Sequence, residues 1–78
     1  MTENMIRFIT PQYKTLFWIE DGGRVKVTAP DREFEAVCRY LDPYHVSING
    51  ICFHICQYAE KIAGIGGTVS PVTKAFFD

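Results

Sequence analysis

Apolar and polar residues alternate along much of this chain, which is typical of β-strands with one buried face. In residues 24–28, Val25 and Val27 stand on one side and charged residues on the other. Residues 14–20 are rich in aromatic and β-branched side chains, the composition of a strand. The segment 21–23, Asp-Gly-Gly, separates the two, and glycine supplies the positive φ that a tight turn needs. The pattern therefore predicts that the two segments form a first β-hairpin.

Residues 34–41 fit either a helix or a strand. A helix would gather on one stripe the residues Phe34, Val37, Cys38 and Leu41. A strand would place on one face the residues Phe34, Ala36, Cys38 and Tyr40. We favour the strand, because short turns on both sides then give a continuous meander.

Earlier in the chain, residues 5–9 are predicted to form a short edge strand that ends before Pro11, since proline has no N–H to donate to a ladder.

Residues 44–55 carry the clearest hairpin signal in the chain. The dipeptide Asn49-Gly50 is typical of a type I′ turn, which requires positive φ at both positions. A two-residue turn fixes the register, so residues that face each other across the hairpin share a face. The pairs predicted on an apolar face, expected to pack on the core, are Ile48–Ile51, Val46–Phe53 and Tyr44–Ile55. The pairs predicted on the opposite, polar face are Ser47–Cys52 and His45–His54.

The hydrophobic period then lengthens, which predicts a helix over residues 54–64. The apolar stripe of this helix consists of Ile55, Tyr58, Ala59 and Ile62. Gly64 is placed to end the helix. In the tail, residues 65–78, the aromatic pair Phe76 and Phe77 predicts docking, either on the chain's own sheet or on a second subunit.

These elements predict an α+β fold: an antiparallel β-meander of four to five strands with one C-terminal helix packed on one face. A length of 78 residues allows one domain, predicted over residues 1–78 with a core of about 14–64.

Composition and charge bear on partners and compartment. Apolar residues make up 47% of the chain, and the net charge is −1, so a homodimer that buries surplus apolar surface is expected. No basic run exists, which argues against duplex binding. Three cysteines with no N-terminal secretory signal predict free thiols in the cytoplasm. No apolar run approaches the roughly 18 residues that would suggest a membrane span.

The polar face of the hairpin holds the residues of the chain that come nearest to forming a metal site or a catalytic site. His45, Cys52 and His54 offer nitrogen and sulfur ligands that zinc accepts, but they lack a fourth ligand of recognised spacing. We therefore expect half-exposed histidines with buried, inert cysteines, and no cofactor. A nucleophilic pair of Cys52 with either histidine would need an orienting group, an oxyanion hole and a cleft. A meander this small offers no cleft walls, so we expect no enzyme and assign no catalytic residue.

Aromatic residues in the predicted strands could bind nucleic acid, but this partner is less favoured than a protein. The aromatic residues able to stack bases on a sheet are Phe17, Trp18, Tyr40, Tyr44 and Phe53. They are more simply core residues unless cations stand beside them. A groove that combined them with Arg24, Lys26 and Arg39 would favour binding of a single strand.

Several segments resemble a small family of uncharacterised domains. They are Phe8–Phe17, the Asp-Gly-Gly turn at 21–23, Cys38–Gly50 and Phe53–Glu60. The similar proteins are large polyvalent protein-associated domains, found on mobile elements of gut Firmicutes. The resemblance implies an accessory domain in mobile-element biology, with no catalytic residue to carry over.

The function expected from the sequence is thus a non-enzymatic, cytoplasmic protein-interaction or accessory domain linked to mobile genetic elements. Two alternatives remain open: a single-stranded nucleic-acid-binding domain, and a small metal-binding domain that uses His45, Cys52 and His54.

Overall fold

The computed structural model describes residues 4–77, so Met1–Glu3 and Asp78 of the predicted domain 1–78 lie outside the described residues. Eight strands and one helix follow in the order Met5–Ile9 (β1), Thr15–Glu20 (β2), Arg24–Ala29 (β3), Arg32–Asp42 (β4), His45–Ile48 (β5), Ile51–His54 (β6), Ile55–Gly64 (α1), Thr68–Pro71 (β7) and Ala75–Phe76 (β8). All strand pairs are antiparallel, and they form two open sheets of order β1-β2-β8 and β6-β5-β4-β3-β7. The predicted α+β class is confirmed, and strands β3 to β6 form an antiparallel meander, which lacks residues 14–20 of the predicted one. In the described part of the chain, no helix has the length and apolar character needed to cross a membrane.

The prediction of a first hairpin over residues 14–28 is wrong. Strand β2 pairs with β1 and β8, whereas β3 pairs with β4 and β7. The Gly23 N–H does donate to the Glu20 carbonyl at 2.9 Å, but of the two central residues only Gly22 has positive φ, at 86°. A type I′ turn needs positive φ at both, and a turn with positive φ only at its third residue splays the flanking strands. The chain therefore passes from one sheet into the other.

Two segments of the chain pass side by side from one sheet into the other at this point: β2 leads into β3, and β7 leads into β8. Strands β7 and β8 run antiparallel beside β3 and β2 respectively. Between them, Val72 N–H donates to the Arg24 carbonyl at 2.9 Å, and Arg24 N–H donates to Thr73 Oγ1 at 3.1 Å. We call residues 20–24 with residues 72–74 the corner. The predicted tail thus docks on the chain's own sheets, one of the two alternatives that the sequence left open.

Backbone pairing with β4 holds the corner in place. Gly22 N–H donates to the Cys38 carbonyl, and Cys38 N–H donates to the Gly23 carbonyl, both at 2.8 Å. The Asp21 carboxylate accepts from the Tyr40 N–H at 2.8 Å and from Arg39 Nε at 3.0 Å. Both hydrogen bonds stabilise the carboxylate and so lower the pKa of Asp21. The hydrogen bond from the Tyr40 N–H has the larger effect, and that from Arg39 has the smaller one.

Segment 34–41 is a strand, as favoured from the sequence, and lies within β4. The hairpin that follows has the predicted register, including His45 opposite His54 and Ser47 opposite Cys52. Its turn has φ of 50° at Asn49 and 87° at Gly50, which confirms positive φ at both positions. The apolar face is not wholly buried, however. Its ends project past the core, so that Ile51 is 60% exposed and Tyr44 57% exposed.

The core lies between the two sheets and the helix. Its members come from β1 as well as from residues 14–64: Ile6, Phe8, Ile9, Phe17, Ile19, Val25, Val27, Ala36, Cys38, Val46, Ile48, Ile55, Tyr58, Ala59 and Ile62. The helix rests on β1, β6 and β7 with the predicted stripe buried. Gly64 is its last residue, and Gly66 is the left-handed residue beyond it, with φ of 69°. The Gly66 and Gly67 N–H groups donate to Ala63 and Ile62, the arrangement that satisfies the last carbonyls of a helix.

Candidate functional site

The polar face of the β5–β6 hairpin brings the two histidines together. Their ring centroids lie 5.2 Å apart in an edge-to-face arrangement. His45 Nδ1 lies 2.9 Å from Asp42 Oδ1, so this nitrogen carries a proton that it donates to the carboxylate. His54 Nδ1 instead accepts from the Cys56 N–H at 3.0 Å and caps the helix. The two rings therefore hold opposite tautomers when both are neutral.

Asp42 is the residue of this cluster that the sequence reasoning missed. A bulge between Tyr40 and Asp42 shifts the β4 register and sets the carboxylate beside His45. Asp42 also accepts from the Tyr44 N–H at 2.8 Å. The hydrogen bonds from His45 and Tyr44 both stabilise the charged form of the Asp42 carboxyl and so lower its pKa, and the one from His45 has the larger effect. The spacing Asp-x-x-His beside a proline turn is the signal that could have found it.

The cluster offers a metal two imidazoles at most. Cys52 is exposed, so the expectation that it is buried is wrong, and it stands opposite Ser47, two pairs further along the hairpin than the histidines. Within residues 4–77, no three His, Cys, Asp or Glu side chains converge as a metal site, and no hydrogen bond joins Cys52 to either imidazole. The structure thus brings His45 and His54 together but leaves Cys52 apart from them. Cys38 is fully buried, and burial raises the pKa of its thiol to about 12, so it is an inert core residue.

The groove of aromatic residues with Arg24, Lys26 and Arg39 that would have favoured binding of a single strand does not form. Arg24, Lys26 and Arg39 lie on the outward face of the five-stranded sheet. Lys26 Nζ pairs with Glu33 at 3.0 Å, and Arg39 Nε pairs with Asp21 at 3.0 Å. Of the aromatic residues, Phe17 is a core residue, and Phe53 packs on Tyr58 with ring centroids 5.2 Å apart. Tyr44 stacks on His54 at 6.3 Å.

An apolar groove lies beside the helix, and sequence reasoning did not identify it. We call it the α1 groove, a cavity of about 260 Å³ lined by Phe8, Ile9, Thr10, Pro11, Leu16, Ile55, Tyr58, Ala59, Ile62, Ala63, Gly67, Thr68 and Val69. Its walls come from four separate segments of the chain. No local sequence signal marks it, because its shape depends on how the helix lies against β1 and β7.

Tyr58 separates the groove from the core and carries an unsatisfied polar atom. Its hydroxyl is buried and, among residues 4–77, has no hydrogen-bond partner. Burial raises the pKa of Tyr58 to about 12, and Cys38 contributes in the same direction. A buried hydroxyl without a partner destabilises the folded state by about 1–3 kcal/mol.

We therefore expect Tyr58→Phe to raise the free energy of unfolding by about 1 kcal/mol, since it removes only that hydroxyl. Urea denaturation of both proteins measures the change. Tyr44→Phe is the matched control, because the Tyr44 ring is exposed, and it should change stability by less than about 0.5 kcal/mol. A loss of stability in Tyr58→Phe would show that the hydroxyl has a partner in solution.

Comparison with protein-family models, with curated proteins and with solved structures found no match for this chain. Its function has to be inferred from its own residues.

Proposed function

We propose that this protein is a non-enzymatic protein-interaction module and that its α1 groove forms the contact between two copies of the chain. The observation that carries the proposal is the groove itself, which is open to solvent and apolar except for two threonines and the buried Tyr58 hydroxyl. Exposed apolar surface of this kind typically marks a protein contact.

The rim of the groove is preorganised for binding. Residues 10–14 form a closed loop in which Thr10 N–H donates to the Lys14 carbonyl at 2.8 Å and Tyr13 N–H donates to the Thr10 carbonyl at 2.9 Å. Tyr13 has φ of 69° and is 46% exposed, two positions after the groove residue Pro11. A loop already fixed in this way loses little conformational entropy when a partner binds.

A second copy of the chain is the partner that these features favour. The groove takes residues from β1 and β7, which are both edge strands. An edge strand offers unpaired backbone groups to a strand of another chain, while neighbouring side chains supply the apolar contact. With a net charge of −1, two copies meet little electrostatic repulsion.

We place this module in the cytoplasm, as an accessory domain of mobile genetic elements. All three cysteines are free thiols, which fits a reducing compartment. The link to mobile elements rests on the resemblance of residues 38–50 and 53–60 to accessory domains of that kind.

Sedimentation equilibrium tests the dimer. We expect a mass of twice 8.9 kDa at micromolar concentration, and Ala63→Glu should shift the protein to monomer because it sets a charge in the groove. Gln57→Glu is the matched control: it makes the same charge change on an exposed position of the same helix outside the groove. A wild-type protein that stays monomeric throughout would refute self-association through this groove.

A further inference from the structure

The outer face of the three-stranded sheet carries an aromatic row that the α1 groove does not use. Arg7 on β1 is the register partner of Trp18 on β2, and Trp18 is the partner of Phe76 on β8. The alternate residues Ile6, Phe8 and Ile19 face the core. The row therefore crosses all three strands on the solvent side, and we call it the platform.

Each ring of the platform has a cation over it. The Arg7 guanidinium lies 5.8 Å from the centre of the Trp18 ring, and Lys74 Nζ lies 5.2 Å from the centre of the Phe76 ring. Arg7 Nε also donates to Thr15 Oγ1 at 2.8 Å, which fixes the guanidinium against the sheet. The platform thus alternates flat apolar rings with positive charge.

An open cavity of about 350 Å³ lies on the platform and is lined by Met5, Trp18, Glu20 and Phe76. Its volume is at the lower end of the range for small-ligand sites. Two aromatic rings in neighbouring strands suit planar groups that stack. Arg7 and Lys74 lie over the rings beside the cavity and suit anions, whereas Glu20 in the lining suits the alternative class of ligand for an aromatic site, an organic cation. Two positive charges against one negative charge favour the anion.

We propose that the platform binds single-stranded nucleic acid, with successive bases stacked on Trp18 and Phe76 and with backbone phosphates held by Arg7 and Lys74. Aromatic side chains on a sheet with cations alongside are the general means by which single strands are bound without sequence preference. The bases of a duplex are already stacked on one another and do not reach such rings. Glu20 also lines the cavity, and its carboxylate repels phosphate and so opposes the attraction by the two cations.

Trp18 is the only tryptophan of the chain, which makes its fluorescence a direct reporter of the platform. Titration with oligothymidylate or oligouridylate should quench it, whereas a duplex of the same length should not. With two phosphates neutralised, the logarithm of the binding constant should fall with the logarithm of salt concentration with a slope of about −1.4, since each phosphate contact on a single strand adds about −0.7.

Variants locate the binding on the platform. Phe76→Ala should weaken oligonucleotide binding about 10-fold, because one stacking surface is lost. Phe34→Ala is its control: Phe34 is 40% exposed against 38% for Phe76 but lies on the other sheet, so binding should not change. Lys74→Ala should lower the salt slope by about 0.7. Circular dichroism melting of each variant establishes that it is folded.

The proposal is independent of the dimer. Ala63→Glu, which disrupts the groove, should bind oligonucleotides as the wild type does. Absence of quenching by any single strand would overturn the proposal. So would quenching by tetramethylammonium without quenching by oligonucleotide, which would make the cavity a site for organic cations, and so would equal weakening by Phe34→Ala and Phe76→Ala.

Discussion

Replacing Gly23 by alanine should destabilise the protein by about 2–3 kcal/mol, because the corner has no room for a methyl group. A Cβ at this position would lie 2.8 Å from Thr73 Oγ1, 3.0 Å from the Glu20 carbonyl oxygen and 3.1 Å from Ile19 Cδ1. The threonine hydroxyl can move only by giving up its hydrogen bond with the Arg24 N–H. The carbonyl belongs to the backbone of the corner turn, so the turn itself would have to shift.

Thermal and urea denaturation measure this loss, and Gly64→Ala is the matched control. At Gly64 a Cβ meets nothing within 4 Å and φ is not positive, so alanine should stabilise the last turn of the helix by about 0.5–1 kcal/mol. The two substitutions have the same chemistry and opposite expected signs. Equal effects would mean that the corner is not as crowded as the structure has it.

The second large effect is expected at the hairpin turn, where Gly50→Val should cost about 2 kcal/mol. Gly50 has φ of 87° and open space around it, so the cost comes from backbone strain and not from a clash. A β-branched residue resists positive φ more than most, whereas asparagine tolerates it. Gly50→Asn should therefore retain most of the stability.

Comparison of the two variants by urea denaturation separates strain from simple loss of glycine. If valine and asparagine lowered stability equally, the residue at position 50 would not be held at positive φ. The turn is also fastened to β4: Asn49 N–H donates to the Val37 carbonyl, and Asn49 Oδ1 accepts from the Val37 N–H, both at 2.9 Å. Asparagine at position 49 thus satisfies the left-handed turn and also continues the β4 ladder.

The two glycine turns show what the sequence can and cannot predict. Asn49-Gly50 has one favoured local geometry, and the register predicted from it is correct for four residue pairs. Asp21-Gly22-Gly23 allows several geometries, and the observed one depends on distant partners, Cys38 and Thr73. Local turn chemistry does not contain those partners, so the hairpin inferred there was wrong.

The candidate sites divide in the same way. Strand alternation predicts that His45 and His54 are neighbours, because both belong to one hairpin. Asp42 joined them through a bulge that alternation does not predict. Trp18 was recognised as an aromatic strand residue, but its register partner Phe76 lies far along the chain. The platform could not be assembled from local patterns for that reason.

The corner has a consequence for the order of folding. The bond between Arg24 and Thr73 spans 49 positions, whereas every pairing within the β3 to β6 meander is between neighbouring strands. Contacts between distant residues form slowly, because closing a long loop loses entropy before any contact compensates for it. We expect the meander to assemble first and the β7–β8 segment to join last. Until it joins, the free edges of β2 and β3 are open to pairing with other chains, so slow closure of the corner is the stage at which this protein is most prone to aggregation.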